Sequence, residues 1–232
     1  MLPPQAVVFD LDGTLVDSRG DIVAAVNHAL RAIGRSPQPA TAIVRFVGDG
    51  ARTLCARAAQ LSELSEEVDV MIDHFIRYYV EHPIEFTRFM PGAQEALEIL
   101  SELPDMQLAI CTNKPRPTTD AVLDTLDVHT RFRAVCAGGD VSEKKPAPGP
   151  LLHLAKLMRV PVQAMVMVGD APQDVECAHR AGCRSIAVES PFAFRERVIS
   201  ARPDVVVGDL RELADIVKRW REATIRVSIG RN

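Results

Sequence analysis

Residues 7–18 read Val-Val-Phe-Asp-Leu-Asp-Gly-Thr-Leu-Val-Asp-Ser, and most of the architecture follows from them. An apolar, β-branched run ends at Asp10. Asp12 stands two residues on, and Gly13-Thr14 come directly after. Such a run predicts a buried strand. The two carboxylates then project from its carboxyl end, toward a ligand, a metal ion or each other. Carboxylates this close repel unless a cation, a proton or a hydrogen-bond network compensates.

Working outward, strand patterns fall at 5–10, 106–111, 132–136, 164–169, 184–188 and 204–207. Helical patterns lie between them at 92–101, 115–126, 147–158, 172–181 and 208–222. Strands alternating with helices predict a Rossmann-like, doubly wound α/β core with a parallel sheet and helices on both faces. Ligands in such sheets sit beyond the carboxyl ends of the strands, where the strand order switches. Residues 17–88 break the rhythm. Helical patterns at 18–34, 39–46, 49–60 and 65–82 are punctuated by 34–39 and by Gly48-Asp49-Gly50. The expected organisation is a core of 1–16 and 89–232 with an inserted all-helical cap domain of 17–88, placed to act as a lid. Asp17 and Ser18 read as caps of the first cap helix, with a hinge as the alternative, and residues 223–232 as a loosely held polar tail.

Composition narrows the classes. The chain has 232 residues, 47% of them hydrophobic, and a net charge of -4. It can bury a real core, and it lacks the basic stripe of a nucleic-acid binder. No apolar run approaches a membrane span, and no signal peptide is expected. The five cysteines are an odd number without zinc or Cys-x-x-Cys spacing. They read as reduced thiols of a cytoplasmic protein. The six histidines show no ligand spacing and read as surface or packing residues.

Other strand ends join Asp10 and Asp12. The strand ending at Cys111 runs into Thr112-Asn113-Lys114, whose hydroxyl and backbone N–H groups suit either a phosphate oxygen or a helix cap. Lys144 and Lys145 precede Pro146-Ala147-Pro148, a helix start that positions the lysine before it. The strand 164–168 ends in Gly169-Asp170, with Asp174 four residues on near a helix start. Asp174 can orient Asp170 or a metal's water, or only complement the helix dipole. Met165 and Met167 read as core filling. Oxygen ligands from Asp10, Asp12 (through its backbone carbonyl), Asp170 and Asp174 suit Mg²⁺ rather than zinc. Asp10 serves as nucleophile, Thr112 grips the phosphate, Lys145 screens charge, and Asp12 moves protons to and from the leaving alcohol and water.

These motifs resemble those of the haloacid dehalogenase-like superfamily, specifically its phosphatases with a helical cap after the first motif. Asp10-Leu-Asp12-Gly-Thr matches motif one and Thr112 motif two. Lys145, directly before its proline, matches motif three better than Lys144, and Gly169-Asp170 with Asp174 matches motif four. The resemblance implies an aspartyl-phosphate on Asp10, hydrolysed by water that Asp12 activates. Within the superfamily, Asp12 and Asp170 favour a phosphatase over a dehalogenase. The absence of lysine from 17–88 argues against a phosphonoacetaldehyde hydrolase. Ile22, where mutases carry histidine, argues against a mutase.

The phosphoglycolate phosphatase-like branch is the most similar. Val44-Arg-Phe-Val-Gly-Asp-Gly-Ala-Arg52 resembles its substrate loop, so Arg45, Gly48 and Arg52 join Thr112, Asn113 and Lys145 as substrate-binding candidates. One of the two arginines could read a substrate carboxylate, but a solvated helix face is the favoured reading. The chain departs from the branch at Ala171, at Gln173 where asparagine is usual, and across 189–194. The expectation is a Mg²⁺-dependent phosphatase acting on a small phosphorylated metabolite, with 2-phosphoglycolate the leading candidate. Sugar phosphates and nucleotide monophosphates come next, followed by a phosphomutase or a non-catalytic binding module. A monomer or homodimer is expected, with no nucleic-acid or membrane partner.

Overall fold

The computed structural model describes residues 2–190 and 195–229. Its centre is β1 (Ala6–Phe9), flanked by β4 (Gln107–Pro115) and β6 (Met165–Gly169). The six-stranded sheet has the order β5-β4-β1-β6-β7-β8, with β5 at Ala134–Gly138, β7 at Arg184–Val188 and β8 at Val205–Val207. All pairings in it are parallel. The chain therefore winds outward on one side of β1 and then on the other, which puts the switch in strand order at β1.

Every β1 residue is fully buried, and alternation sorts the side chains between two cores. Val7 and Phe9 join Leu108, Ile110, Val166 and Val168 on one face. There they meet α5 (Ala93–Ser101), α6 (Arg116–Thr125) and α10 (Leu213–Ile229) through residues such as Leu97, Val122 and Val217. Ala6 and Val8 join Ala109, Met165 and Met167 on the other, against α7 (Gly149–Met158) and α8 (Pro172–Ala181) through Leu151, Leu154 and Ala178. The two methionines fill the core as expected.

The segment after β1 leaves the sheet through a turn at Gly13 (φ 90°), a conformation that glycine adopts without a Cβ clash. It continues into β2 (Val16–Asp17), which pairs antiparallel with β3 (Arg88–Phe89). Between these short strands lie α1 (Arg19–Ala32), α2 (Ala40–Ile43), a 3₁₀ turn at Val44–Phe46, α3 (Ala51–Ala59) and α4 (Glu66–Glu81). The helices match their sequence patterns closely. The strand pair at the root of the insertion, and α9 (Arg195–Ser200), carry too few residues to show a period.

Two expected boundaries move. β4 continues to Pro115, with a register shift after Cys111, so Thr112–Lys114 lie on the strand. The terminal helix α10 extends to Ile229 rather than stopping at 222. Residues 230–232 of the expected loose tail, and 191–194 of the departing stretch, lie outside the described residues.

Candidate active site

Strand register builds the site. Phe9 is level with Ile110 of β4 and Val168 of β6, so Asp10, Thr112 and Asp170 emerge at one edge of the sheet. The Asp10 backbone N–H donates to the Val168 carbonyl at 2.9 Å, which holds the strand end in line.

Lys145 ties three of the expected residues together. Its Nζ donates to Asp174 Oδ1 at 2.6 Å and to the Cys111 carbonyl at 2.7 Å, and it lies 2.9 Å from Asp10 Oδ1. Asp174 also accepts from the Ala171 backbone N–H at 3.0 Å, so it caps α8 and pairs with the lysine at once. Thr14 Oγ1 donates to Asp170 Oδ1 at 3.3 Å. The adjacent Lys144 turns outward and donates to the Asp49 carbonyl at 2.7 Å.

Asp10, Asp170 and Asp174 each offer a carboxylate oxygen, and these lie within 4.8 Å of one another. Burial lifts the Asp10 carboxyl from 3.8 to about 6, with Lys145 opposing the rise and Asp174 adding to it. Burial first, then Asp10, holds Asp170 well above the usual carboxylate range. Burial works against the charge of Lys145, but Asp10 and Asp174 outweigh it and hold the ammonium well above its ordinary value. The cluster carries more negative charge than one lysine balances. Asp10 Oδ1, buried beside Lys145, accepts no well-directed hydrogen bond. An all-oxygen set with an unsatisfied acceptor fits a small hard divalent cation.

Asp12 stands in a different environment. Ser18 Oγ donates to its Oδ1 at 2.6 Å, and Lys114 Nζ lies 3.0 and 3.3 Å from its two oxygens. Ser18 therefore aims Asp12, and its side chain makes no cap bond to α1. Asp17 Oδ1 accepts from the Arg19 backbone N–H at 3.3 Å, a bond at the start of the helix, and its carboxylate also pairs with the Arg19 guanidinium at 2.6 Å. Lys114 is buried, lies 4.0 Å over the Tyr79 ring of α4, and is held above its ordinary pKa by Asp12 and Tyr79 against the opposing effect of burial. In the sequence Lys114 stands at the end of Thr112-Asn113-Lys114 with no local pattern that gives it a role. Its signal was the scarcity of lysine, since only five occur in the chain.

A cavity opens between the sheet edge and the insertion. Asp10, Asp12, Thr112, Asn113 and Lys114 line it from the core, and Ile22, Val47, Gly48, Leu54 and Phe75 from the insertion. Thr112 Oγ1 accepts from the Lys114 backbone N–H at 3.2 Å. The Asn113 side chain is engaged as a strut, donating to the carbonyls of Gly48 (2.9 Å) and Lys145 (3.0 Å) and accepting from Lys145 N–H (3.0 Å). Gln173, one of the departures, donates to Asp49 Oδ1 at 2.8 Å and joins α8 to the insertion.

The structure does not bring the two arginines to this cavity. Arg45 is exposed. Arg52 donates to the Glu63 carbonyl at 2.8 Å and pairs with Asp69. Neither arginine lines the cavity. The histidines also stay outside it, with His28 stacked on Tyr78 at 4.5 Å and His82 paired with Glu85. All five cysteines are free and buried. Burial pushes Cys55, Cys136 and Cys183 up to about 12, so none of these is a ready thiolate.

Comparison with known proteins follows the same lines. The model of the haloacid dehalogenase-like hydrolase family matches residues 7–188. A phosphoglycolate phosphatase of Neisseria meningitidis is 36% identical over 221 residues, covering 90% of this chain and 92% of that protein. The phosphoglycolate phosphatase of Escherichia coli K12 is 32% identical over 229 residues, covering 90% of each. The crystal structure of a predicted phosphoglycolate phosphatase from Haemophilus somnus superposes with a TM-score of 0.84 at 28% identity, over 93% of this chain and 99% of that one.

Proposed function

The chain belongs to the haloacid dehalogenase-like hydrolases, in their phosphoglycolate phosphatase-like branch, and on that premise we propose that it is a Mg²⁺-dependent phosphatase working through an aspartyl-phosphate on Asp10, with 2-phosphoglycolate as its substrate. One observation carries the reading. Asp10, buried at a strand end beside Lys145 and two further carboxylates, faces a cavity that Asp12 also lines.

The chemistry follows from the residues. An Asp10 carboxylate oxygen attacks phosphorus, the ester P–O bond breaks, and Asp12 gives the departing alkoxide its proton. Asp12 then takes a proton from water, the hydroxide attacks phosphorus, and the Asp10–phosphorus bond breaks to release phosphate. Asp12 suits proton movement because Ser18 and Lys114 hold it in place. Thr112 holds a phosphate oxygen. Lys145, anchored by Asp174 and the Cys111 carbonyl, sets its charge against Asp10 and the transferring group. The Asp10 and Asp170 carboxylates and the Asp12 carbonyl would hold Mg²⁺, with Asp174 behind them, and the ion would neutralise phosphoryl charge. The helices of residues 17–88 act as a cap over the cavity and exclude water from the intermediate.

The test is phosphate release from a panel of phosphomonoesters, with Mg²⁺ and with chelator. Release that needs Mg²⁺ and favours 2-phosphoglycolate is expected. A preference for sugar phosphates or nucleotides would remove the substrate assignment, and full activity in chelator would remove the metal.

A further inference from the structure

We propose that Lys114 is a specificity-determining residue, the cation that reads a carboxylate on the substrate's leaving group. The inference rests on the phosphatase reading above and names the residue that selects the acid.

Among the described residues lining the cavity, Lys114 is the sole cation. Lys145 is committed to Asp10, Asp174 and the Cys111 carbonyl. Lys144 reaches outward to Asp49 and Thr53. Arg52 is held by Asp69 and the Glu63 carbonyl, and Arg45 is exposed away from the cavity. The remaining walls are largely apolar, with Ile22, Val47, Leu54 and Phe75 facing the space. A carboxylate entering such a space loses its water and needs a cation in exchange.

Lys114 has the capacity to supply it. An ammonium carries three N–H donors. Asp12 engages the group from one side, at 3.0 and 3.3 Å, and the Tyr79 ring supports it from another at 4.0 Å. The same lysine therefore touches the proposed proton carrier and the chamber for the leaving group. A substrate acid placed there is sensed next to the atom that is to be protonated.

The experiment measures kcat/KM for wild type, Lys114→Met and Lys114→Arg on matched pairs of substrates. The pairs are 2-phosphoglycolate against 2-hydroxyethyl phosphate, and 3-phosphoglycerate against glycerol 3-phosphate. Wild type is expected to favour the acid of a pair. Lys114→Met is expected to lower that preference about a hundredfold, mainly through KM, in line with the loss of a buried charge pair. Lys114→Arg is expected to keep most of it. A thermal melt reports that each variant is folded, and because Lys114 also holds Asp12 the readout is the ratio of acid to neutral ester, which a loss common to both substrates does not move. Equal loss on acid and neutral ester would overturn the proposal and leave Lys114 serving Asp12 alone, as would a wild type without acid preference. A wild type that favours 3-phosphoglycerate, with the preference still lost in Lys114→Met, would sink the 2-phosphoglycolate assignment and leave Lys114 standing.

Discussion

At the scale of single residues, the site is under electrostatic stress that its proposed chemistry would use. Asp10 has a carboxyl lifted from 3.8 to about 6, so the folded chain disfavours its ionised form even with Lys145 beside it. The sign follows by linkage. The cost is absent below about pH 4, grows as pH rises, and is complete above about pH 6, with roughly 3 kcal/mol as an upper bound. Asp10→Asn removes that cost. Metal-free Asp10→Asn protein should therefore melt higher than metal-free wild type at pH 7, with the gap closing toward pH 4, as calorimetry across pH would show. The same variant should retain less than a hundredth of wild-type turnover, because asparagine is no nucleophile for phosphorus. A lower melting point at pH 7 would mean that the Lys145 pairing outweighs burial.

At the scale of elements, two junctions hold the catalytic candidates in place. Gly169 ends β6 where the chain passes directly under Asp174, and a Cβ there would overlap the Asp174 carboxylate. Gly169→Ala should push that side chain off Lys145. The expected result is at least a tenfold loss of kcat together with a raised Mg²⁺ requirement, read by metal titration of activity. The second junction is the root of the insertion. The buried Asp21 of α1 accepts from the backbone N–H groups of Phe86 and Thr87 and from Thr87 Oγ1 at 2.5–3.2 Å. It clamps the returning chain against the departing one. Asp21→Ala strands these buried donors, and a loss of about 3 kcal/mol is expected in denaturant unfolding. Neither the β2–β3 pair nor this clamp was legible in the sequence. Each joins residues about 70 positions apart through elements too short to show a period.

At the scale of the whole molecule, the insertion shares one buried apolar cluster with the core, Leu54, Phe75 and Tyr79 together with Leu11, Leu15 and Val122, and a few polar links cross beside it. Asn113 reaches the Gly48 carbonyl, Gln173 reaches Asp49, Lys144 reaches Asp49 and Thr53, and Lys114 rests on Tyr79. Links of about 1 kcal/mol each suit a cover that opens and closes. Asp49→Ala removes the Gln173 bond and the exposed Arg57 pair. The expected outcome is a KM raised about threefold to tenfold, with stability within about 1 kcal/mol of wild type. Unchanged KM would show that this link does not hold the closed form.

Read from the chain alone, the apolar run into Asp10, the strand-helix alternation and the helical patterns of 17–88 were enough for the core, the inserted helices and the acidic cluster. Those features are periodic or contiguous, and a buried parallel strand writes itself as an unbroken apolar run. The direction in which each charged side chain points is not written that way. Lys144 and Lys145 are neighbours, yet one turns outward while the other pairs with both Asp10 and Asp174. Arg52 flanks the loop over the site, yet it is held by Asp69. Lys114, given no role in the sequence, lies against Asp12. Pairings of this kind depend on which groups the fold brings within about 3 Å in a space short of water. Strand register and helix seating decide that, and no local pattern records it.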